Sequence, residues 1–381
     1  MFQTYEGLKI LDLSRTLAGP FATMILADLG ADVIKIEARD GDDTRRLPPK
    51  WHGDSAAFIA MNRSKRSVVL DLKSDHGREA VLKLTERCDV IVESFRPGVM
   101  ERLGLGFDDL RNRNPRLIYC SVSAFGRGPL GRDMPGYDAL LQAFSGIMKA
   151  TGHPGEPPAR IGPAAIDITT GLWTALQIMA ALARRDRANE PQQLEVTLVD
   201  SALNLMCHQL IGVLANGIAP QPQGSGSPIT APYEVFTVAD GDLLIAAGND
   251  ALYRKLCTEI GRPDLVIDPR FQTMSHRVMN RIELHQLVEL SLKTAGVQEW
   301  SYRLARAGVP AGPVLDLAEA IRQPVTLERN LLVKCESDEN PDLQLLRLPL
   351  GDNIAPYRAP PTLGQHTHEV LSEIGMAPEG T

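Results

Sequence analysis

One aspartate, Asp167, precedes a long apolar segment in the stretch RIGPAAIDITTGLWTALQIMAALARR, residues 160–185. The pattern predicts a helix that begins just after Asp167 and continues to Arg185. The carboxylate could cap this helix by accepting hydrogen bonds from the free amides of its first turn. It could also attack an activated acyl group, because those amides and the positive end of the helix dipole would keep it ionised. The residues themselves leave both roles open.

Other catalytic chemistries find little support in the sequence. No Gly-x-Ser-x-Gly motif marks a serine hydrolase. The eight histidines are dispersed, and His366 and His368 form an isolated His-x-His pair with no third ligand at a usual spacing. Cys207 and His208 are neighbours in an apolar helical segment, where consecutive side chains point apart. We therefore predict no metal site and no cysteine or serine nucleophile.

The first half of the chain alternates β-rich runs with helical patterns, which predicts a parallel sheet covered by helices on both faces. We expect an α/β fold with a Rossmann-like, doubly wound large domain. Ligands of such sheets lie beyond the carboxyl ends of the strands. The predicted strand ends are polar: Ser14 and Arg15, Glu37 and Arg39, Asp71 and Lys73, Glu93 with Ser94 and Phe95, and Ser121 with Ser123.

Two basic loops, residues 42–46 and 62–67, follow the predicted sheet edge. They are either solvated surface or part of a site for a phosphorylated ligand. A nicotinamide cofactor is disfavoured, although Glu37 stands where a ribose-binding acid would lie. The turn after the first strand reads SRTLAGPF and lacks Gly-x-Gly-x-x-Gly, with Pro20 where a glycine would let the backbone approach a pyrophosphate.

Composition and chain organisation limit the possible functions further. The net charge of -7 argues against general nucleic-acid binding, and five scattered cysteines favour reduced thiols in the cytoplasm. We find no signal-peptide pattern and no uncharged apolar run of membrane-spanning length. A Gly-, Pro-, Gln- and Ser-rich break suggests domains at residues 1–225 and 226–317, the second being a smaller α+β domain. Residues 318–381 are predicted to return to the large domain.

Several long motifs resemble the family III CoA-transferases of the CaiB/BaiF type from Gly7 to Leu371. They include LKILDLSRTLAGPFATMILADLGADVIKIE, NRSKRSVVLDLKSDHGREAVLKL, DVIVESFRPGVMERLGLGFDDL, PGYDALLQAFSGIMKATG and GPAAIDITTGLWTALQIMAAL. The resemblance implies an interlocked, ring-like homodimer. It also implies that coenzyme A and acyl-CoA act as substrates and that no cofactor is permanently bound.

The same resemblance implies roles for individual residues. Asp167 would be the nucleophile, forming first a mixed anhydride with the acyl group and then an aspartyl-CoA thioester. A glycine-rich loop formed by Gly224, Ser225 and Gly226 would cover the acyl group, although an interdomain linker is an equal alternative. The positions implied to bind CoA are Arg15, Arg39, Leu70, Lys73, Ser94, Phe95, Arg102, Leu103 and Tyr137.

Two neighbouring functions remain as alternatives, a 2-methylacyl-CoA racemase and a non-catalytic acyl-CoA-binding homologue. The racemases place a catalytic histidine in a Gly-His-Asp motif, whereas this chain has Tyr137 before Asp138, and tyrosine is a poor base at neutral pH. Leu17 replaces the glutamine of oxalate-handling relatives, and the missing side-chain amide argues against formyl-CoA:oxalate exchange. The motifs GDDTR, GSGSP and LGQHTHEVL resemble the branch that handles short dicarboxylates, such as the succinyl-CoA:glutarate CoA-transferases. This resemblance implies succinyl-CoA as the donor and a small dicarboxylic acid as the acceptor, whose distal carboxylate would need a cation. The candidates for that cation are Arg45, Arg46 and Arg160.

Overall fold

The computed structural model describes residues 3–51, 53–188, 190–337, 341–350 and 357–378. It contains two compact units. The first comprises residues 1–148, 160–219 and 330–381, and the second comprises residues 149–159 and 220–329. The second unit therefore begins at Pro220 and ends at Arg329, beyond the predicted limits of 226 and 317, and it also takes up an earlier segment of eleven residues.

The strands are β1 Lys9–Leu13, β2 Asp32–Glu37, β3 Lys50–Trp51, β4 Asp54–Ser55, β5 Arg66–Val69, β6 Val90–Glu93, β7 Ile118–Ser123, β8 Gln192–Thr197, β9 Tyr233–Thr237, β10 Asp242–Ala246, β11 Ala311–Pro313, β12 Leu332–Lys334 and β13 Gln344–Leu346. The helices are α1 Ala18–Asp28, α2 Ala56–Asn62, α3 Asp75–Thr85, α4 Val99–Arg102, α5 Phe107–Leu110, α6 Asp138–Phe144, α7 Ile147–Ala150, α8 Ala165–Ala188, α9 Leu198–Leu205, α10 Cys207–Asn216, α11 Asp250–Glu259, α12 Asp264–Ile267, α13 Met274–Met279, α14 Arg281–Leu292, α15 Val297–Ala307, α16 Leu317–Ala320, α17 Pro324–Glu328 and α18 Thr367–Glu373.

A six-stranded parallel sheet organises the first unit, in the order β5-β2-β1-β6-β7-β8. Numbered along the chain within this sheet, that order is 3-2-1-4-5-6, the strand order of the Rossmann fold. The prediction of a parallel sheet is thus confirmed. The order reverses between β1 and β6, which pair in parallel from Ile10 to Leu13. In open α/β sheets ligands bind at this reversal point, beyond the carboxyl ends of the two strands.

Helix α8 lies in the core of this unit. Its length and apolarity would let residues 165–185 cross a membrane, but Ile166, Ala175 and Ile178 are buried inside the domain. The packing against α1 is unusually close at Gly171, where a Cβ atom would lie 2.7 Å from the carbonyl oxygen of Ala18. We therefore interpret α8 as a core helix that fixes the position of the first turn of α1.

Part of each basic loop is neither solvated surface nor a ligand site. Several of the cations in these loops are instead buried in ion pairs with residues of the sheet and of α1. Lys65 Nζ lies 2.9 Å from Asp12 Oδ2, and Arg45 Nη2 lies 2.8 Å from Glu37 Oε1. Arg63 and Arg66 pair in the same way with Asp28 and Asp32. The expectation of a phosphate site at these loops is wrong at these positions.

The second unit contains an antiparallel sheet, β11-β10-β9, packed with helices α11–α15. The Asp240-Gly241 pair between two alternating apolar runs predicts a β-hairpin. The hairpin of β9 and β10 confirms this, with a hydrogen bond from the Val238 amide to the Gly241 carbonyl. The core around Phe236 contains the fully buried Trp300 and Tyr253. Apolar burial of this extent gives the unit a core of its own.

The end of the chain belongs to the first unit from Asn330 onward. Helix α18 contributes Val370 and Leu371 to the core cluster that contains Val68 of β5. Thr367 and His366 accept hydrogen bonds from the amides of Val69 and Ser67. The tail thus covers the edge strand of the parallel sheet, while residues 318–329, predicted to belong with it, are part of the second unit.

Candidate active site

Helix α8 begins at Ala165, two residues before Asp167, so the predicted start after Asp167 is wrong. The residue that accepts hydrogen bonds from the first turn is Asp138, whose Oδ2 atom lies 2.8 Å from the Ile166 amide and 3.2 Å from the Asp167 amide. Asp138 thereby satisfies two of the free amides of the helix. The interpretation of Asp167 as the helix cap is consequently wrong, since its own amide is one of those being capped.

The Asp167 carboxylate has no hydrogen-bond donor among the described residues. Burial and then the neighbouring charge of Asp138 raise the pKa of Asp167 to about 7. The expectation that helix amides would keep this group fully ionised is therefore wrong, because Asp138 uses those amides. Near neutral pH the carboxylate is partly protonated, and its ionised form is poorly solvated. A carboxylate in that state is well suited to act as a nucleophile.

Asp138 belongs to a hydrogen-bonded chain that the sequence did not predict. Its Oδ1 atom accepts from Gln142 Nε2 at 2.6 Å, and Gln142 Oε1 accepts from the Ile161 amide at 3.0 Å. Helix α6 therefore holds both the start of α8 and the segment that leads to it. The four-residue spacing of Asp138 and Gln142 in a helical segment was the available signal.

Two cavities open at the reversal point of the sheet. The first, of about 370 Å³, is lined by six of the residues implied to bind CoA: Arg15, Leu70, Lys73, Phe95, Arg102 and Leu103. The second, of about 320 Å³, contains Asp167 and is lined by Ser94 and Tyr137. Arg15, Phe95 and Val99 line both cavities. The structure thus joins an apolar pocket with cationic edges to the catalytic candidate.

The shared wall of the two cavities is held by hydrogen bonds between the ends of β1 and β6. Ser94 Oγ accepts from the Arg15 amide at 2.8 Å. Buried Glu93 accepts from the Phe95 amide at 2.9 Å. Arg15 also pairs with Asp43 through its guanidinium group. These contacts fix the backbone at Arg15 and Phe95, two of the three residues that the cavities share.

The structure does not bring all predicted residues to these cavities. Arg39 is exposed and lies in the wall of neither. Gly224, Ser225 and Gly226 belong to the second unit, where the Gly224 amide donates to the carbonyl of Gly152. Arg281 of that unit donates to the carbonyl oxygens of Ser227 and Thr230. The role of the glycine-rich loop stays a prediction.

The structure reduces the number of arginines that could bind the distal carboxylate of a substrate. Arg45 is buried and binds Glu37 through two nitrogens, so it is not available to a substrate. Arg46 is exposed and pairs with Asp40 and Asp43. Within the described part of the chain, Arg160 has no ion pair, and neither does Arg96, which lines the Asp167 cavity. Sequence reasoning missed Arg96.

The same contacts bear on nicotinamide binding. Glu37 accepts from Arg45, from Ser67 Oγ at 2.6 Å and from the Asp42 amide at 2.9 Å. Both carboxylate oxygens of Glu37 therefore already accept hydrogen bonds within the protein and are not available to bind a ribose. As for metals, the described residues contain no group of three or more His, Cys, Asp or Glu side chains that could hold an ion.

Comparison with known proteins places this geometry in context. Residues 5–367 match the family model of CoA-transferase family III. An acetyl-CoA:oxalate CoA-transferase from Acetobacter aceti is 42% identical over 87% of this chain and 85% of its own. A succinate–glutarate CoA-transferase from Agrobacterium fabrum is 35% identical over 97% of this chain and 95% of its own.

Solved structures agree with these matches. The crystal structure of a CaiB/BaiF family protein from Brucella suis superposes with a TM-score of 0.88. It is 37% identical and covers 97% of this chain and 98% of its own. The family match and the two transferases together cover nearly all of the sequence. The chain belongs to CoA-transferase family III and is a CoA-transferase.

Proposed function

We propose that this enzyme moves CoA from an acyl-CoA to a small dicarboxylic acid through covalent intermediates on Asp167. The observation that carries the proposal is the position of the partly buried Asp167 carboxylate, which accepts no hydrogen bond from the described residues. It lines a cavity that shares Arg15, Phe95 and Val99 with the cavity of the implied CoA-binding residues. A CoA thioester held in the first cavity can present its acyl group in the second.

The proposed reaction has four balanced steps. An Asp167 oxygen attacks the thioester carbonyl, the C–S bond breaks, and a mixed anhydride and CoA thiolate result. The thiolate then attacks the Asp167 carbonyl, which releases the donor acid and leaves an aspartyl-CoA thioester. The acceptor carboxylate attacks that carbonyl, giving a second anhydride and CoA thiolate. Attack of the thiolate on the acceptor acyl carbon releases the new acyl-CoA and restores Asp167.

Asp138 acts in this scheme as a positioning residue. It orients the first turn of α8, and its charge helps to raise the pKa of Asp167. Tyr137, the residue beside it, is exposed and lines the Asp167 cavity. A racemase would need a base for the α-proton at this place, and a tyrosine hydroxyl is a poor base at neutral pH.

The acceptor is proposed to be a dicarboxylate on two grounds. Relatives of this chain are named for oxalate, glutarate and mesaconate, all dicarboxylic acids. In this chain, Arg96 places a guanidinium without an ion pair among the described residues in the wall of the Asp167 cavity. A planar guanidinium binds a carboxylate through two hydrogen bonds. Leu17 lines the same cavity.

Arg96 can be tested by changing acceptor and residue together. We expect Arg96→Met to lower kcat/KM for glutarate by about ten- to a hundredfold, the loss typical of a charge-assisted hydrogen bond. The value for butyrate, which lacks the distal carboxylate, should change little. Equal losses for both acids would remove Arg96 from acceptor recognition.

The transferase assignment is tested by product analysis. Wild-type enzyme is incubated with succinyl-CoA or acetyl-CoA and a panel of oxalate, mesaconate, glutarate and butyrate, and the CoA thioesters are separated by chromatography. Asp167→Asn should reduce transfer by at least about a thousandfold. Asp75→Asn, a matched change in the exposed first turn of α3, should leave it unchanged. Transfer by the Asp167 variant at the wild-type rate would refute the mechanism.

The enzyme is further proposed to be a cytoplasmic homodimer. Support comes from apolar side chains that the first unit leaves exposed on α8, with Leu172 at 52%, Trp173 at 43% and Leu176 at 52%. Helix α10 has no buried residue and exposes Ile211 and Leu214. Apolar surface of this kind marks protein–protein interfaces. All five cysteines are free thiols, as suits a reducing compartment.

A further inference from the structure

Two arginines converge over Gly98, at the edge of both cavities. A Cβ atom built on Gly98 would lie 3.2 Å from Arg102 Nη1 and 3.7 Å from Arg132 Nη2. The two guanidinium groups therefore approach each other to within about 7 Å, where like charges repel. Gly98 has a φ of 86°, a backbone conformation that favours glycine, and its lack of a side chain leaves the space between the guanidinium groups open.

Neither guanidinium has a counter-ion among the described residues. Other arginines of the same region do have one: Arg113 pairs with Glu86, and Arg127 pairs with Glu101. The chain as a whole carries a net charge of -7, so an excess of basic residues does not explain why these two arginines lack a counter-ion. Repulsion of this kind is relieved when an anion binds between the two groups.

The location of the pair indicates which anion. Arg102 lines the first cavity, and Val99, the residue after Gly98, lines both. Arg132 comes two residues before Met134, which lines the second cavity. We propose that Arg132, together with Arg102, clamps a phosphate group of the CoA nucleotide. This inference rests on the proposed CoA-transferase function and adds Arg132 to the binding site.

Equilibrium binding tests the clamp without turnover. Dissociation constants for CoA, dephospho-CoA and pantetheine are measured by calorimetry for wild type, Arg132→Gln, Arg132→Lys and the control Arg113→Gln. We expect Arg132→Gln to weaken CoA binding about tenfold or more, since a phosphate contact to a charged group is lost. Arg132→Lys should recover part of the loss, and the control should match wild type.

The three ligands decide which phosphate is bound. A loss seen with CoA but absent with dephospho-CoA assigns the clamp to the ribose phosphate, and a loss kept with dephospho-CoA but absent with pantetheine assigns it to the diphosphate. An equal loss with all three, or none with CoA, overturns the proposal. Wild-type protein that binds CoA and transfers nothing would overturn the proposed function while leaving the clamp intact. Wild-type protein that does not bind CoA would overturn both.

Discussion

At the scale of single residues, the neighbouring carboxylates of Asp138 and Asp167 differ in their surroundings and therefore in their proposed roles. Asp138 is saturated with hydrogen bonds from α8 and Gln142, whereas Asp167 receives none among the described residues. Burial and the charge of Asp138 then raise the pKa of Asp167 to about 7. Pairs of acids whose environments differ in this way are typical of catalytic sites.

The raised pKa predicts a pH-dependent stability difference for Asp167→Asn. Asp167 ionises near pH 3.8 in the unfolded chain and near 7 in the folded one, so its ionisation disfavours the folded state increasingly as pH rises between these values. The variant removes this cost. Its advantage in free energy of unfolding should grow by about 2 to 3 kcal/mol from pH 5 to pH 8, measured by urea denaturation. A difference independent of pH would contradict the raised pKa.

A second prediction concerns the activity of Asp138→Asn. Because the nucleophile must be ionised, kcat/KM of the wild type should rise with pH through about 7. An asparagine oxygen can still accept from the Ile166 amide, but the charge is gone. The rising limb should therefore move to lower pH by about one unit. A limb that stays in place would show that Asp138 does not influence the titration of Asp167.

At the scale of elements, the close contact of α8 with α1 shapes the cavity that contains Asp167. Gly171 allows α8 to approach the carbonyl of Ala18, and Leu17 and Ala18 form part of the wall around Asp167. The position of Asp167 and the shape of its cavity thus depend on the same helix pair. Substitutions in that contact should change both stability and activity.

Gly171→Ala tests this contact. Its Cβ would lie 2.9 Å from Phe21 Cδ1 and even closer to the Ala18 carbonyl, so α1 must shift. We expect a loss of about 1 to 3 kcal/mol in the free energy of unfolding and a reduced kcat/KM. Gly212→Ala in α10, where nothing lies within 4 Å, should instead stabilise by about 0.5 to 1 kcal/mol. Both variants are measured by thermal unfolding. A change in stability of the same sign in the two variants would contradict the packing argument.

The elements also show what the sequence could predict. Apolar runs predicted the strands of the parallel sheet, and the Asp-Gly turn predicted the hairpin of the second unit, because these are local patterns. The start of α8 was missed since Asp138, which caps it, lies 28 residues before Ile166 in the sequence. The burial of Lys65 and Arg45 was missed because their partners Asp12 and Glu37 stand on β1 and β2, and the sequence does not show that the two loops pack against these strands.

At the scale of the whole molecule, the exposed apolar face of α8 predicts an obligate partner. Analytical ultracentrifugation should give twice the mass of the chain for the wild type. Trp173→Glu combined with Leu176→Glu should give monomers, because two charges would be buried in an apolar interface. Leu130→Glu, at a residue that is 90% exposed, is the control and should leave the mass unchanged. A monomeric wild type would refute the proposed homodimer.

The most direct test of the central claim is to trap the covalent intermediate. The enzyme is incubated with succinyl-CoA or another acyl-CoA that supports transfer, treated with hydroxylamine, and digested for mass spectrometry. We predict a hydroxamate on Asp167, formed from the anhydride or thioester of its carboxylate. Turnover of the acyl-CoA with Asp167 unmodified would contradict covalent catalysis by this residue.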